Sequence, residues 1–345
     1  QDVCLYPATD PNGDATRAYR HAIWEKIAEG IGNLQALRKI TIVDSTGEEE
    51  QLAPDWEILA LILRRLRRGI HLYMEDDGLP WDPEVLPVSA RAIHGQAMII
   101  GFSTGEHFPF RCLDILCSTL LTLPALENVS FNHITDQSAA DGQSLENMVQ
   151  LLQSPALRVV KFKYVFFADS LSRAIAKALK ERSEITDLEF SSCSFPDGEG
   201  AVIASALKTN TTLKHLEFDT SVGEVFYDVL AAALLSNSML QKLALCMPDG
   251  TNSSWLSPLF LALQVNTGLK ELHISFASFR FNHEPPVNLM DQRLSTAVRL
   301  GPGRHSTLES LDLSNITSID NYTSLWTDDF SFLRTTTAIK ALTIN

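Results

Sequence analysis

The chain has 345 residues, 45% of them hydrophobic, and sets 28 Lys and Arg against 42 Asp and Glu for a formal net charge of −14. A chain this acidic is a poor binder of phosphate, which argues against nucleic acid and anionic membrane and for a cationic or mixed-charge protein partner. No run of about 18 apolar residues occurs, so the sequence predicts no membrane span.

Five cysteines, Cys4, Cys112, Cys117, Cys193 and Cys246, are scattered and lack CxxC spacing. They read as thiols of a reducing compartment, with neither a disulfide framework nor a zinc site, and the chain is read as cytoplasmic. Five Asn-x-Ser/Thr sequons, at Asn128, Asn210, Asn252, Asn315 and Asn321, keep secretion as the alternative. The chain begins at Gln1 and ends at Asn345, one residue past an apolar position, which reads as an excerpt or a processed product.

In chain order, residues 1–36 read as an N-terminal cap with a first helix near 18–31. Leu37, Ile40 and Ile42 then form a first strand on the pattern apolar-x-x-apolar-x-apolar. Residues 50–110 are degenerate copies: Ile70 and Leu72 fit one strand, Met98 and Ile100 another, with Arg67 and Gly95 where a first anchor belongs. The stretch 74–92, with Asp76-Asp77-Gly78, Pro80, Pro83 and Pro87, reads as loop in place of a helix.

From 120 to 345 the pattern is regular. Anchors start at Leu126, Leu157, Ile185, Leu213, Leu240, Leu269, Leu308 and Ile339. Between Leu157 and Ile185 a helix is expected over 170–180, capped by Asp169 or Ser170, with Leu171, Ile175, Ala178 and Leu179 on one face. Further helices follow around 202–207, 226–235 and 256–265. The step from Leu269 to Leu308 is long, and an insertion near 278–305 carries Pro285-Pro286 and Gly301-Pro302-Gly303. A return every 27–31 residues means stacked strand–helix units sharing one core, so 1–345 reads as a single α/β solenoid of about eleven repeats.

These units, and above all the run Ala-Leu-Lys-Thr-Asn-Thr-Thr-Leu-Lys-His-Leu at 206–216, resemble leucine-rich repeats of the ribonuclease-inhibitor-like superfamily. The resemblance implies a horseshoe with a parallel concave β-sheet and outer convex helices. It also implies protein recognition, as in the inhibitors, GTPase-activating proteins, immune receptors and actin regulators of that superfamily. One departure stands out. Such repeats place Asn or Cys three positions after the third anchor, and here those positions are Val165, Cys193, Ser221, Pro248, Ala277 and Ile316. Only Cys193 matches and Ser221 can substitute, so improvised hydrogen bonding is expected at the turns.

No phosphate loop, HExxH, Gly-x-Ser-x-Gly or dinucleotide fingerprint is present, and His283-Glu284 is followed by prolines. The reading is therefore a non-enzyme without metal or cofactor. Strand side chains alternate, which puts the residues between anchors on the concave face in columns. A basic spot at Arg158, Lys161 and Lys163 beside Tyr164 is followed by an acidic one at Asp187, Glu189, Glu217 and Asp219, with His215 and Lys242 alongside. We read the chain as a module that binds a partner protein through this face and its rim loops. The alternatives are a GTPase-activating or other regulatory protein acting on a partner enzyme, and a structural subunit of a large assembly.

Overall fold

A computed structural model describes residues 2–5, 26–31, 34, 37–43, 56–75, 86–105, 108–135, 145–181, 183–247, 256–276, 307–314 and 340–344. The chain divides into two compact units, Gln1–Val165 and Phe166–Asn345. In both, parallel strands alternate with helices, an α/β arrangement compatible with a solenoid. Parallel neighbours require such a crossover, because no tight turn can join them.

In the first unit the strands are β1 (Asp2–Leu5), β2 (Lys39–Val43), β3 (Ile70–Glu75), β4 (Ile99–Ser103), β5 (Phe108–Pro109), β6 (Asn128–Asn132), β7 (Ile134–Thr135) and β8 (Val159–Lys163). The helices are α1 (Trp56–Arg65), α2 (Leu86–Ile93), α3 (Leu113–Leu120) and α4 (Glu146–Leu152). Strands β1, β2, β3, β4, β6 and β8 pair in that order, all parallel, and β5 pairs with β7 in a separate short ladder. In the second unit β9 (Asp187–Ser194), β10 (His215–Ser221), β11 (Lys242–Met247), β12 (Glu271–Phe276), β13 (Ser310–Ser314) and β14 (Ala341–Ile344) likewise pair in chain order. Its helices are α5 (Asp169–Lys180), α6 (Glu199–Ala206), α7 (Glu224–Leu234) and α8 (Leu256–Leu263).

The anchors from Leu126 onward are buried wherever their side chains are described, from Leu126, Val129 and Phe131 through to Leu308 and Leu311. Strands β6 and β8 show the reason, with buried and half-buried residues strictly alternating along each. Aromatic third anchors build the core by stacking. Phe131 lies 5.4 Å from Phe162 in the first unit, and Phe190 lies 4.5 Å from Phe218 in the second. Phe218 in turn meets Phe226 of α7 at 4.6 Å, which joins sheet to helix.

The degenerate region departs from expectation. Phe102 pairs with Val129 and Leu72 with Phe102, so the second anchors are Leu72 and Phe102, not Ile70 and Met98. Ile70 and Ile99 fill the first-anchor sites left to Arg67 and Gly95, and both are buried, whereas Met98 and Ile100 are half-exposed. The step from Ile40 to its partner Leu72 is 32 residues, longer than the regular period, and the β3–β4 ladder adds a one-residue irregularity between Ile70 and His71. The expected loop at 74–92 is also wrong at both ends. Strand β3 runs to Glu75 and α2 starts at Leu86. Pro87 sits in the first turn of α2, where its missing N–H costs nothing.

The sequence reading has no strand ahead of Leu37, yet β1 pairs Asp2 with Lys39 and Val3 with Ile40. Of the expected first helix, 26–31 is helical, and 18–25 lies outside the described residues. The insertion near 278–305, the anchor Ile339 and the turn positions Pro248, Ala277 and Ile316 lie outside them too.

An asparagine ladder in the second unit went unread in the sequence. Asn210, Asn237 and Asn266 stand three residues ahead of the anchors Leu213, Leu240 and Leu269, and all three are buried. Asn237 is typical. Its Oδ1 accepts from the N–H of Met239 and of Leu240, both at 2.9 Å, and its Nδ2 donates to the carbonyls of Leu207 at 2.6 Å and Asn210 at 3.0 Å. Asn266 repeats the pattern one unit on, donating to Leu234 and Asn237 at 2.7 Å each. One amide thereby satisfies the carbonyls of the preceding unit and the N–H groups that open its own strand. The turn polarity expected after the third anchor therefore sits largely before the first one.

Candidate functional site

The sheet face opposite the anchors carries the polar residues between them, and the observed register sorts these into columns. In the first unit β6 and β8 align Ser130 with Lys161 and Asn132 with Lys163. Lys161 and Lys163 sit two apart on β8, hence on one face. Arg158 lies just ahead of β8, with its Nη1 on the Leu157 carbonyl at 3.1 Å.

Tyr164, the residue after β8, lies in the left-handed region at φ 54°, and His133, at the matching point after β6, does the same at φ 47°. Non-glycine residues seldom adopt this conformation. The bend turns both rings to the strand ends, where their centroids are 6.3 Å apart, and leaves Tyr164 63% exposed. His133 also donates its N–H to the Lys163 carbonyl at 2.7 Å. The structure thus joins Lys161, Lys163 and Tyr164 with two residues not chosen from sequence, His133 and Asn132. The side-chain amide of Asn132 bonds Ser103 and accepts from Ser130. Both residues fall just past a third anchor, the position that could have pointed to them.

In the second unit one column runs Asp187, His215, Lys242, Glu271, Ser310, and the next runs Glu189, Glu217, Ala244, His273, Asp312. Glu189 and Glu217 are direct cross-strand neighbours, and Asp219 faces Ser191. The acidic spot is partly neutralised from within. Asp187 pairs with His215 and accepts from the Thr186 hydroxyl at 2.6 Å, and Glu189 accepts from Ser191 at 2.9 Å. Further along, Lys242 lies 3.6 Å from Glu271, and His273 Nδ1 lies 3.0 Å from Asp312. The charged tract therefore runs beyond Lys242 through Glu271, His273 and Asp312. The same column period that picked out Glu189 and Glu217 reaches these residues.

The face is polar, its charged side chains half-buried or exposed, and several of them pair between neighbouring strands. Among the described residues no group of three or more His, Cys, Asp or Glu could hold a metal ion, and no helix is long and apolar enough to cross a membrane. Cys112, Cys117 and Cys193 are buried thiols and Cys246 is half-buried. Burial, helped by the carboxylate of Asp114, pushes the Cys117 thiol well above its ordinary range. The side chain of Lys340 holds the exposed Glu309 carboxyl below its usual range through a 2.9 Å hydrogen bond.

In comparisons with known proteins, the chain matches no family model and no curated protein.

Proposed function

We propose that the chain is a leucine-rich-repeat protein of the ribonuclease-inhibitor-like type, a horseshoe solenoid that acts as a non-enzymatic protein-binding module. Its concave sheet face and rim loops take the partner, with Arg158, Lys161 and Lys163 as basic contacts and Tyr164 beside them. Asp187, Glu189, His215, Glu217, Asp219 and Lys242 serve as the acidic and mixed ones.

The observation that carries this reading is the register of β9 to β13, which gathers Asp187, Glu189, His215, Glu217, Lys242, Glu271, His273 and Asp312 into two neighbouring columns, one of them interrupted at Ala244. A strand face kept only for folding has no need of aligned carboxylates at Glu189 and Glu217, since like charges directly opposite destabilise a sheet. A cationic partner surface would relieve that repulsion and gain association rate from it.

The test is affinity capture with the full chain and identification of the bound protein, repeated with Glu189→Lys and Glu217→Lys together. Loss of that partner at an unchanged melting temperature supports the reading, and undiminished capture refutes it.

A further inference from the structure

Helices α5 to α8 pack in sequence along the second unit, and their outward faces change character along the row. Helix α5 is conventional. Its exposed positions are Asp169, Arg173, Lys177 and Lys180, and Arg173 is bonded to Asp169 one turn away at 2.6 Å. The outward face of α7 is different. Val225, Asp228 and Ala232 are exposed on it, and Leu235, one residue past its end, continues the same stripe at spacings of three and four. Val225 is 60% and Leu235 59% exposed.

Helix α8 packs beside α7 and repeats this, with Leu261 50% exposed on it and Val265, two residues past its end, 59% exposed at i+4. An amphipathic helix normally turns its polar side to water. Two adjacent helices that turn valine and leucine outward present a surface of the kind that marks association, whereas single exposed apolar residues mean little.

Charge decides between occupants. Asp228 interrupts the apolar positions of this stripe and Glu224 flanks its start, both exposed, and the chain carries a net −14. A second copy would bring the same acidic border against itself, and an anionic lipid surface would be repelled. A basic border would be attracted. Helix-in-groove recognition supplies that chemistry, with apolar residues at i, i+3 or i+4 and i+7 docking and flanking Lys or Arg meeting carboxylates. We propose that the outward face of α7 and α8 is a second docking surface, separate from the sheet face, for a basic amphipathic helix of a partner protein.

The probe is a synthetic helical peptide of Leu and Lys in amphipathic order, labelled and titrated with the full chain by fluorescence anisotropy. A Leu and Glu peptide of the same order is the comparison. Saturable binding of the Lys peptide alone is expected, weakened at least tenfold by Leu235→Ser with Val265→Ser and several-fold by Asp228→Asn. All three positions are exposed, so circular dichroism and melting should match the parent chain. Glu189→Lys with Glu217→Lys should leave this binding intact, which separates it from the sheet-face reading.

The proposal is overturned by any of four results. These are affinity unchanged on losing Leu235 and Val265, equal binding of the Glu peptide, loss of binding through the sheet-face variant, and a concentration-dependent dimer that the Leu235 and Val265 changes abolish. Binding of neutral phosphatidylcholine vesicles that the same changes remove would overturn it as well, in favour of a lipid surface.

Discussion

Asn237 donates its side-chain amide to the main-chain carbonyl of Asn210, 27 residues earlier, at 3.0 Å, and its own carbonyl accepts from Asn266 at 2.7 Å. Three buried amides thus tie successive strand entries of the second unit to one another. A repeat scaffold has only nearest-neighbour contacts to hold it, so such links bear directly on its cohesion.

Asn237→Ala should therefore be costly. It strands two carbonyls and the Leu240 N–H in the interior, each worth about 1–3 kcal/mol when buried and unmet, and frees the part-buried N–H of Met239. We expect a loss of about 3–5 kcal/mol after partial relaxation, seen as a lower urea midpoint. Asn132→Ala on the half-buried sheet face should cost about 1 kcal/mol. A near-neutral Asn237→Ala would mean that the ladder does not hold the unit.

Gly268 is fixed by close approach. A Cβ there would meet the main-chain oxygen of Ser238 at 2.2 Å, an atom that cannot swing aside as a side-chain end can. Gly268→Ala should force the turn after α8 away from Ser238, at a cost of about 1–3 kcal/mol by analogy with overpacked cores. Thermal melting checks this, with Gly223→Ala as the control, because a Cβ at Gly223 meets nothing within 4 Å.

Cys117 makes stability fall in alkali. Its thiol stays protonated in the folded chain at a pH where the unfolded thiol, with a pKa of about 8.5, has ionised. The folded state then binds more protons than the unfolded one. The stability this group contributes is whole below about pH 8.5 and is lost as pH rises beyond it. Burial raises the Tyr227 hydroxyl too, which acts in the same sense at higher pH. Cys117→Val should flatten the alkaline decline, measured as urea midpoint against pH. An identical slope would show that the thiol is not the group responsible.

Asn210 should carry no glycan in folded protein, although Asn-Thr-Thr is a sequon. A glycan attaches at Nδ2, and here that atom is buried and donates to the Leu179 carbonyl at 2.9 Å. Peptide mass spectrometry of the folded chain from a glycosylating host should find Asn210 unmodified. Occupancy in folded material would contradict the ladder geometry.

Much of the fold was legible because burial leaves a local mark. The anchors Leu157, Val160 and Phe162 announce a strand by spacing alone, and their partners in the next column follow from the period. That same arithmetic aligned Glu189 with Glu217 and Asp187 with His215, as the register shows. It failed at Ile70 and Met98, because the step from Ile40 to its partner Leu72 is 32 residues and departs from the period. It also passed over Asn210, Asn237 and Asn266, whose steps of 27 and 29 residues keep the period, because an asparagine in a turn looks like any other polar residue until its partners are known.

From Leu126 onward the sequence by itself determined which strand side chains are buried and which columns share a face, since both depend on the alternation of neighbours along one strand. Only the tertiary structure decided which polar groups meet. The hydrogen bonds of Asn237, the pairing of His273 with Asp312 and the apolar outward faces of α7 and α8 depend on how successive strand–helix segments pack within the second unit. Contacts across some 27 to 39 residues leave no pattern within either segment, because each partner satisfies local rules equally well without the other.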